Sequence, residues 1–286
     1  MRGSEGFSLA HAGDRYPRHL DLNAPLPPIA AGTGSPDHRT GDGRAVSERT
    51  GARGGLAADP GGGFWAALDG PERAALRAAG RARGYQPRTP LCYQGDDSDH
   101  IIVIESGWAK VTCTGEDGRA VVLAVRGPGD LVCESAVLGG RERSATVQAL
   151  DHVRALIVPA ARFTAFLDAH PRVWRLVSGT FVRRLDDADR RLRAHVSAQG
   201  ARRLAILLAD LADLSARHAP PARGAAIAIA PPLSQEELGS WMDASRETVA
   251  RALSTLRREG LVSTGWRRIT VEDPPGLRAF ADAPDE

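Results

Sequence analysis

The chain of 286 residues is short of several residue types, and each shortage excludes a class of protein. It has only three cysteines, Cys92, Cys113 and Cys133. Odd in number and about twenty residues apart, they fit neither a disulfide framework nor paired metal-ligand spacing, and they imply a reducing cytoplasm. Long apolar runs are missing: pieces such as Ala120 to Val125 fall far below the roughly 18 residues that span a bilayer, so no membrane partner is expected. The N-terminus has no apolar stretch behind a basic start, which argues against secretion. The eight histidines are scattered, with no nucleophile motif, phosphate-cradling loop or metal-ligand spacing among them. No catalytic residue, no metal site and no enzymatic activity is therefore expected. Lys110 is the only lysine and Asn23 the only asparagine, against abundant Ala, Arg, Gly and Pro; this skew suits a GC-rich genome and makes arginine abundance alone uninformative. The 37 Lys+Arg nearly balance the 35 Asp+Glu, so any nucleic-acid contact must come from a local patch.

What is present is an ordinary globular composition, 42% hydrophobic and 25% charged, in a chain long enough for two modules plus extensions. Residues 1–63 are rich in Gly, Pro and Arg with isolated apolar residues; they cannot offset their ordering entropy, and disorder is predicted. Such a segment is either a functional tail or the product of a misassigned start codon. At Phe64 the texture changes, and Pro71 and Glu72 suit a helix start. Short β-branched runs then follow at regular spacing: Ile101 to Ile104, Trp108 to Cys113, Ala120 to Val125, Ala145 to Leu150 and Val153 to Val158. Gly-rich turns separate them, the pattern of an all-β sandwich or barrel within a domain spanning 64–170.

Helical periodicity returns around Phe163 and Phe166 and continues beyond Pro171. Over 171–199, Trp174, Ser178, Phe181, Leu185, Ala188, Leu192 and His195 recur at alternating spacings of four and three. That is the seam of a coiled-coil dimer, or else the buried face of a helix packed on its own β domain. A last domain, 200–286, opens with a helix over Ala201 to Ser215 and a strand over Ala225 to Ala230.

Ser234-Gln235-Glu236-Glu237 is a capping box, so a helix starts there. It runs to about Trp241, where Asp243-Ala244-Ser245 supplies a turn and a new N-cap. Two short helices joined in this way form a helix-turn-helix unit. On the second helix Val249, Leu253 and Leu256 share one face, and Arg246, Glu247, Ala250, Arg251 and Ser254 the other. Arginine can donate two hydrogen bonds to guanine and glutamate can accept from cytosine, so Arg246, Glu247 and Arg251 are candidate base readers. Gly260-Leu261-Val262 ends the helix and starts a strand, Gly265 allows a hairpin, and Arg267 and Arg268 return near its tip as a wing.

The segments Leu233 to Leu238, Ser245 to Leu253 and Gly260 to Val262 resemble the winged helix-turn-helix of the cyclic-AMP receptor protein and FNR (Crp/Fnr) family of bacterial transcription regulators, and the order of parts fits from about Phe64 to Ala281. The resemblance implies an α+β fold: a cyclic-nucleotide-binding-type β-roll, a long central dimerisation helix and a C-terminal winged helix-turn-helix. It implies that Arg246, Glu247 and Arg251 read bases while Ser234, Ser245 and Thr248 stand near phosphates. Asp243 takes the place of a usual turn glycine and tolerates a left-handed conformation. Gly129 to Ser135, followed by Arg143-Ser144, resembles the family's cassette for a cyclic nucleotide. Cys133, Glu134, Ser135, Arg143 and Ser144 would face ribose and phosphate, with Cys133 where glycine is usual and Asp189 toward the base. Alternatively, Glu134 and Arg143 form a structural ion pair, and Asp189 is a solvated charge.

The expectation is a cytoplasmic homodimeric regulator on palindromic double-stranded DNA, with cyclic AMP or another cyclic nucleotide as candidate effector and RNA polymerase as a candidate partner. The alternative is a ligand sensor acting through protein contacts, its DNA-binding domain vestigial or independent of nucleotide. The chain lacks the clustered thiolates that iron–sulfur sensing requires. A thiol switch at Cys113 or Cys133 is the remaining redox reading.

Overall fold

The structure, a computed structural model, describes residues 63–220 and 225–283. Apart from Gly63, the stretch expected to be disordered lies outside the described residues.

Helices α1 (Gly63–Ala67) and α2 (Gly70–Ala79) open the described chain. The α2 start is a second capping box: the Glu72 amide donates to Asp69 Oδ1 and the Asp69 amide to Glu72 Oε2, each at 2.8 Å. The β domain follows as β1 (Arg81–Tyr85), β2 (Pro90–Cys92), β3 (His100–Ser106), β4 (Ala109–Thr114), β5 (Ala120–Arg126), β6 (Leu131–Val132), α3 (Glu134–Gly139), β7 (Thr146–Ala149) and β8 (Val153–Pro159). The strands form two antiparallel four-stranded sheets, ordered β1-β8-β3-β6 and β2-β7-β4-β5. The five apolar runs in the sequence are β3, β4, β5, β7 and β8. The other three, β1, β2 and β6, are all edge strands. Strand β1 is polar and largely exposed, while β2 and β6 are only three and two residues long, so none of the three writes an apolar run.

In β3, Ile101, Ile102, Val103 and Ile104 are all fully buried, so both faces of this strand are covered. Ile101 and Val103 join Leu156 and Val158 of β8 beneath Phe64, Trp65 and Leu76 of the N-terminal helices. The same layer is closed by α4 (Ala160–Ala169), through Phe163, Phe166 and Leu167.

Helix α5 (Pro171–Ser197) runs unbroken for 27 residues. It has two apolar stripes. Val173, Val177 and Thr180 are buried against its own β domain, whereas Leu185, Leu192 and Val196 are 62%, 65% and 78% exposed. Packing on the same chain therefore accounts for the first turns of α5 and leaves the later seam uncovered.

The C-terminal part comprises α6 (Gly200–His218), β9 (Ile227–Ala228), α7 (Gln235–Met242), α8 (Arg246–Arg258), β10 (Val262–Gly265), β11 (Arg268–Val271) and α9 (Pro274–Asp282). Its core unites Leu204, Leu208 and Leu211 of α6 with Val249, Leu253 and Leu256 of α8 and Leu277 of α9. Trp108, Val125 and Leu150 of the β domain extend the same cluster. Trp108 also meets the ring of His218 edge-on, with centroids 5.0 Å apart.

In the wing, Gly265 pairs with Arg268, so Trp266 and Arg267 form the hairpin loop. The left-handed residue there is Arg267, at φ 50°, and not Gly265 as its composition suggested. Trp266 is 92% exposed.

Candidate ligand cavity and nucleic-acid interface

The β domain holds a cavity of about 590 Å³, walled by β4, β5, the α3 cassette, α5 and Trp241 of α7. Cys133, Glu134, Ser135, Arg143 and Ser144 all line it. Ser135 and Ser144 are exposed, while Glu134 and Arg143 are only 1% and 3% accessible. The carboxylate and guanidinium do not pair with each other. Arg184 of α5 forms the ion pair with Glu134 and also donates to the Leu131 carbonyl. Arg143 donates to the carbonyls of His100 at 2.6 Å and Cys133 at 3.2 Å and lies 3.6 Å from Asp99. Each residue keeps one buried polar atom without a hydrogen bond, Glu134 Oε2 and Arg143 Nε.

Such orphaned atoms are costly to leave dry. Around them the cavity wall carries four guanidinium groups, Arg126, Arg143, Arg184 and Arg191, against the single carboxylate of Glu134. Burial, with Arg184 beside it, lowers the Arg126 pKa to about 10, and burial also lowers that of Arg191. Crowded, desolvated cations of this kind favour an anionic ligand, and a phosphate meets them with charge-assisted hydrogen bonds. Residues and group therefore fit: a carboxylate acceptor for a hydroxyl stands beside donors for a phosphate.

Asp189 does not belong to this wall. It is exposed, and Ala188, Arg191, Leu192 and His195 hold the helix face that the cavity sees. At about 100° per residue, one position along α5 turns a side chain off that face. Arg184 and Trp241 were not singled out from sequence. Arg184 had a signal, since it lies at helical spacing from Ala188 and Arg191; Trp241 had none, because it arrives from another domain.

Backbone geometry at the cassette is unusual. Cys133 sits at φ 73° and ψ 0°, a left-handed conformation natural to glycine and strained for a side chain. Its sulfur lies 3.3 Å from that of Cys92. The sequence spacing gave no hint of this meeting.

The helix-turn-helix unit has the expected caps. The Glu237 amide donates to Ser234 Oγ at 3.1 Å, and Glu237 Oε2 accepts from the Ser234 amide at 2.7 Å. Asp243 takes the left-handed turn position, at φ 51° and ψ 49°. Ser245 caps α8 by accepting from the Thr248 amide, and its hydroxyl lies 2.9 Å from that of Thr248. Sequence reasoning missed Gly239: a Cβ there would stand 2.6 Å from the Ala244 carbonyl oxygen, so only glycine lets the turn fold back onto α7.

On α8, Val249, Ala252, Leu253 and Leu256 are buried, while Arg246, Glu247 and Arg251 project into solvent. Glu247 and Arg251 make an exposed contact at 3.4 Å, a pair weak enough to open for another partner. Between Ser245 and Arg258 four arginines face one acidic residue. The α7 side of the unit rests on the β4–β5 hairpin. Lys110 Nζ lies 2.8 Å from Glu237 Oε1, Arg119 is 2.7 Å from Asp243, and the Ser240 hydroxyl donates to the Ala120 carbonyl.

Comparison with known proteins agrees with this division. The family model of the cyclic nucleotide-binding domain matches residues 82–170, and that of the Crp-like helix-turn-helix domain matches residues 202–280. The Cyclic AMP receptor protein of Thermus thermophilus is 29% identical over 202 residues, 70% of this chain and 87% of that one. The CRP-like cAMP-activated global transcriptional regulator of Mycobacterium tuberculosis is 24% identical over 184 residues, 64% and 80% of the two chains. In fold, the chain is similar to FixK2 from Bradyrhizobium japonicum, with a TM-score of 0.63 at 18% identity over 72% of this chain and 99% of that one. Fold and sites thus define a regulator class: a cyclic-nucleotide-binding β domain joined through a long helix to a DNA-binding winged helix-turn-helix. The chain belongs to the Crp/Fnr family of transcription regulators. Among the described residues, no helix is long and apolar enough to cross a membrane.

Proposed function

We propose that this regulator works in the cytoplasm as a homodimer on a palindromic DNA site, with its DNA affinity set by a cyclic nucleotide in the β-domain cavity. The observation that carries the nucleotide is the orphaned pair, Glu134 Oε2 and Arg143 Nε, buried in the wall of an electropositive cavity. Glu134 would accept from the ribose hydroxyl. Arg143 and Ser144 would hold the cyclic phosphate, with Ser135 and the Cys133 backbone at its edge. The base would lie toward Ala188, Arg191, Leu192 and Trp241. The relatives named for cyclic AMP make that nucleotide the first to test.

The exposed seam of α5 supports pairing of two chains, and two α8 helices would then enter successive major grooves. Arg246, Glu247 and Arg251 would contact base edges, with Ser234, Ser245 and Thr248 near the phosphates. Because α7 rests on the β4–β5 hairpin, a ligand that alters the cavity wall would also bias the placement of α8. RNA polymerase would be the partner downstream of the bound site.

The test is fluorescence anisotropy at fixed salt with a labelled palindromic site and a scrambled control, each with and without cyclic AMP. Preference for the palindrome that rises with cyclic AMP is expected and should be lost in Glu134→Gln and Arg143→Gln. Equal binding to both duplexes under all conditions would overturn the DNA reading. A palindrome preference indifferent to cyclic AMP and to its guanine analogue would overturn the nucleotide control.

A further inference from the structure

The cavity wall contains chemistry that nucleotide binding does not use. Cys92 closes β2 and is 6% exposed; Cys133 lies 41 positions later, at the N-cap of α3. Their sulfurs are 3.3 Å apart. A disulfide needs about 2 Å between its sulfurs, so these two must close by roughly 1 Å. Cys133 also holds a left-handed backbone conformation that is strained for a residue with a side chain. A thiol is therefore kept at a strained position, directly opposite a second thiol, and it lines the cavity through which a small oxidant can enter.

We infer that Cys92 and Cys133 are a redox pair: a hydroperoxide converts them to an intrachain disulfide that ties the nucleotide cassette to β2. The surroundings favour the first step. The contact with the Cys133 sulfur, with the Arg143 guanidinium nearby and despite burial, holds the Cys92 thiol below its usual range. The same contact and burial push the Cys133 thiol up. Attack by one sulfur of the pair on the terminal peroxide oxygen breaks the O–O bond. It gives a sulfenic acid and releases the alcohol, or water from hydrogen peroxide, which takes the thiol proton. The other sulfur then displaces hydroxide from the sulfenic sulfur, and the second thiol proton leaves with it as water. Two thiols are oxidised by two electrons in total, and one peroxide is reduced.

Consequences for the cassette follow from its connections. The Cys133 carbonyl accepts from Arg143, and the next residue is Glu134, so a covalent link at Cys133 restrains both polar groups of the cavity. Such a bond would form only under oxidative stress in a reducing compartment, which suits a transient sensor. Cys113 is half-exposed on β4, and its sulfur lies 3.9 Å from the neighbouring Thr114 carbonyl; it has no part in the pair.

The test uses the full reduced chain carrying Cys113→Ser, treated with hydrogen peroxide and analysed by intact mass, non-reducing peptide mapping and amide hydrogen exchange. Expected are a monomer that has lost two hydrogens, a Cys92 peptide crosslinked to a Cys133 peptide, slower exchange across the α3 cassette, and reversal by dithiothreitol. Cys92→Ser and Cys133→Ser should each abolish the mass loss; if either fails to fold, the mapping of the parent chain still decides. Sulfinic acids on separate peptides, or crosslinks only between chains, would overturn the pair. A mapped Cys92–Cys133 bond with unchanged cassette exchange would overturn the claim that it restrains the cassette.

Discussion

Lys110 Nζ stands 2.8 Å from Glu237 Oε1, so the chain's one lysine, on β4, grips the carboxylate that also caps α7. Both side chains are under a fifth exposed, which makes this a partly desolvated tie between ligand domain and DNA-binding domain. Burial alone would raise the Glu237 pKa, but Lys110 and Ser234 outweigh it and hold the carboxyl below its usual range. A double-mutant cycle of Lys110→Met and Glu237→Gln, followed by thermal unfolding, should give a coupling of about 1 kcal/mol at neutral pH. Because the folded pKa is depressed, the coupling is complete above the ordinary glutamate value of 4.5 and lost as pH falls through the lower folded value. A coupling that persists in acid would contradict the assignment.

Among the described residues, Glu134 forms its one ion pair with Arg184. Removing that guanidinium with Arg184→Gln leaves a carboxylate that is 1% exposed without compensation, at a cost of about 3 kcal/mol. Calorimetry should show a fall in Tm of several degrees, largely recovered in the Arg184→Gln, Glu134→Gln double variant. Equal damage in single and double variants would mean that Arg184 acts through packing alone.

Gly239→Ala tests the helix-turn-helix corner. The added methyl would meet the Ala244 carbonyl oxygen at 2.6 Å, so the turn must open at a cost of about 2 kcal/mol. DNA binding should be lost while binding of nucleotide to the β domain survives, as read by anisotropy and calorimetric titration respectively.

The seam of α5 makes a solution prediction. Leu185 and Val196 are both more than 60% exposed in the single chain and lie outside the cavity lining, so a charge there is harmless unless a second chain covers them. Leu185→Arg with Val196→Arg should convert a dimer to a monomer by sedimentation, with the Tm of the β domain little changed. A parent chain that sediments as a monomer would remove the basis for palindrome binding.

Arg251 projects from the outer face of α8 and, among the described residues, pairs with Glu247 alone, 3.4 Å away. Arg251→Ala should weaken the cognate complex by about 1–3 kcal/mol and relax base preference at one position of each half-site. Equal losses on cognate and random duplexes would reassign Arg251 to the phosphates.

Much of this protein follows from interactions that are close in sequence. The Ser234–Glu237 capping box, the Ser245 cap, the Asp243 turn and the apolar spacing of Val249, Leu253 and Leu256 are set by neighbours three or four residues apart. Local stereochemistry therefore determines them before any fold exists. Strands β3 and β8 were legible because burial on both faces writes a continuous apolar run, and the edge strand β5 was legible from its β-branched composition. The edge strands β1, β2 and β6 write none.

The site was only half legible. Its cassette residues lie close together in sequence and announce themselves, but their partners do not. Arg184 is 50 residues from Glu134, Cys133 is 41 from Cys92, and Glu237 is 127 from Lys110. No periodicity or cap constrains separations of that size; each contact exists because sheet closure and the docking of α5 and α7 bring distant segments into one volume. Sequence alone thus determined that α7 and α8 form, how they are capped and which residues of α8 face outward. The tertiary structure decided that Arg184, and not Arg143, pairs with Glu134, that Asp189 lies outside the cavity, and that two cysteines meet. Pairing in a buried volume depends on long-range packing, which local stereochemistry does not encode.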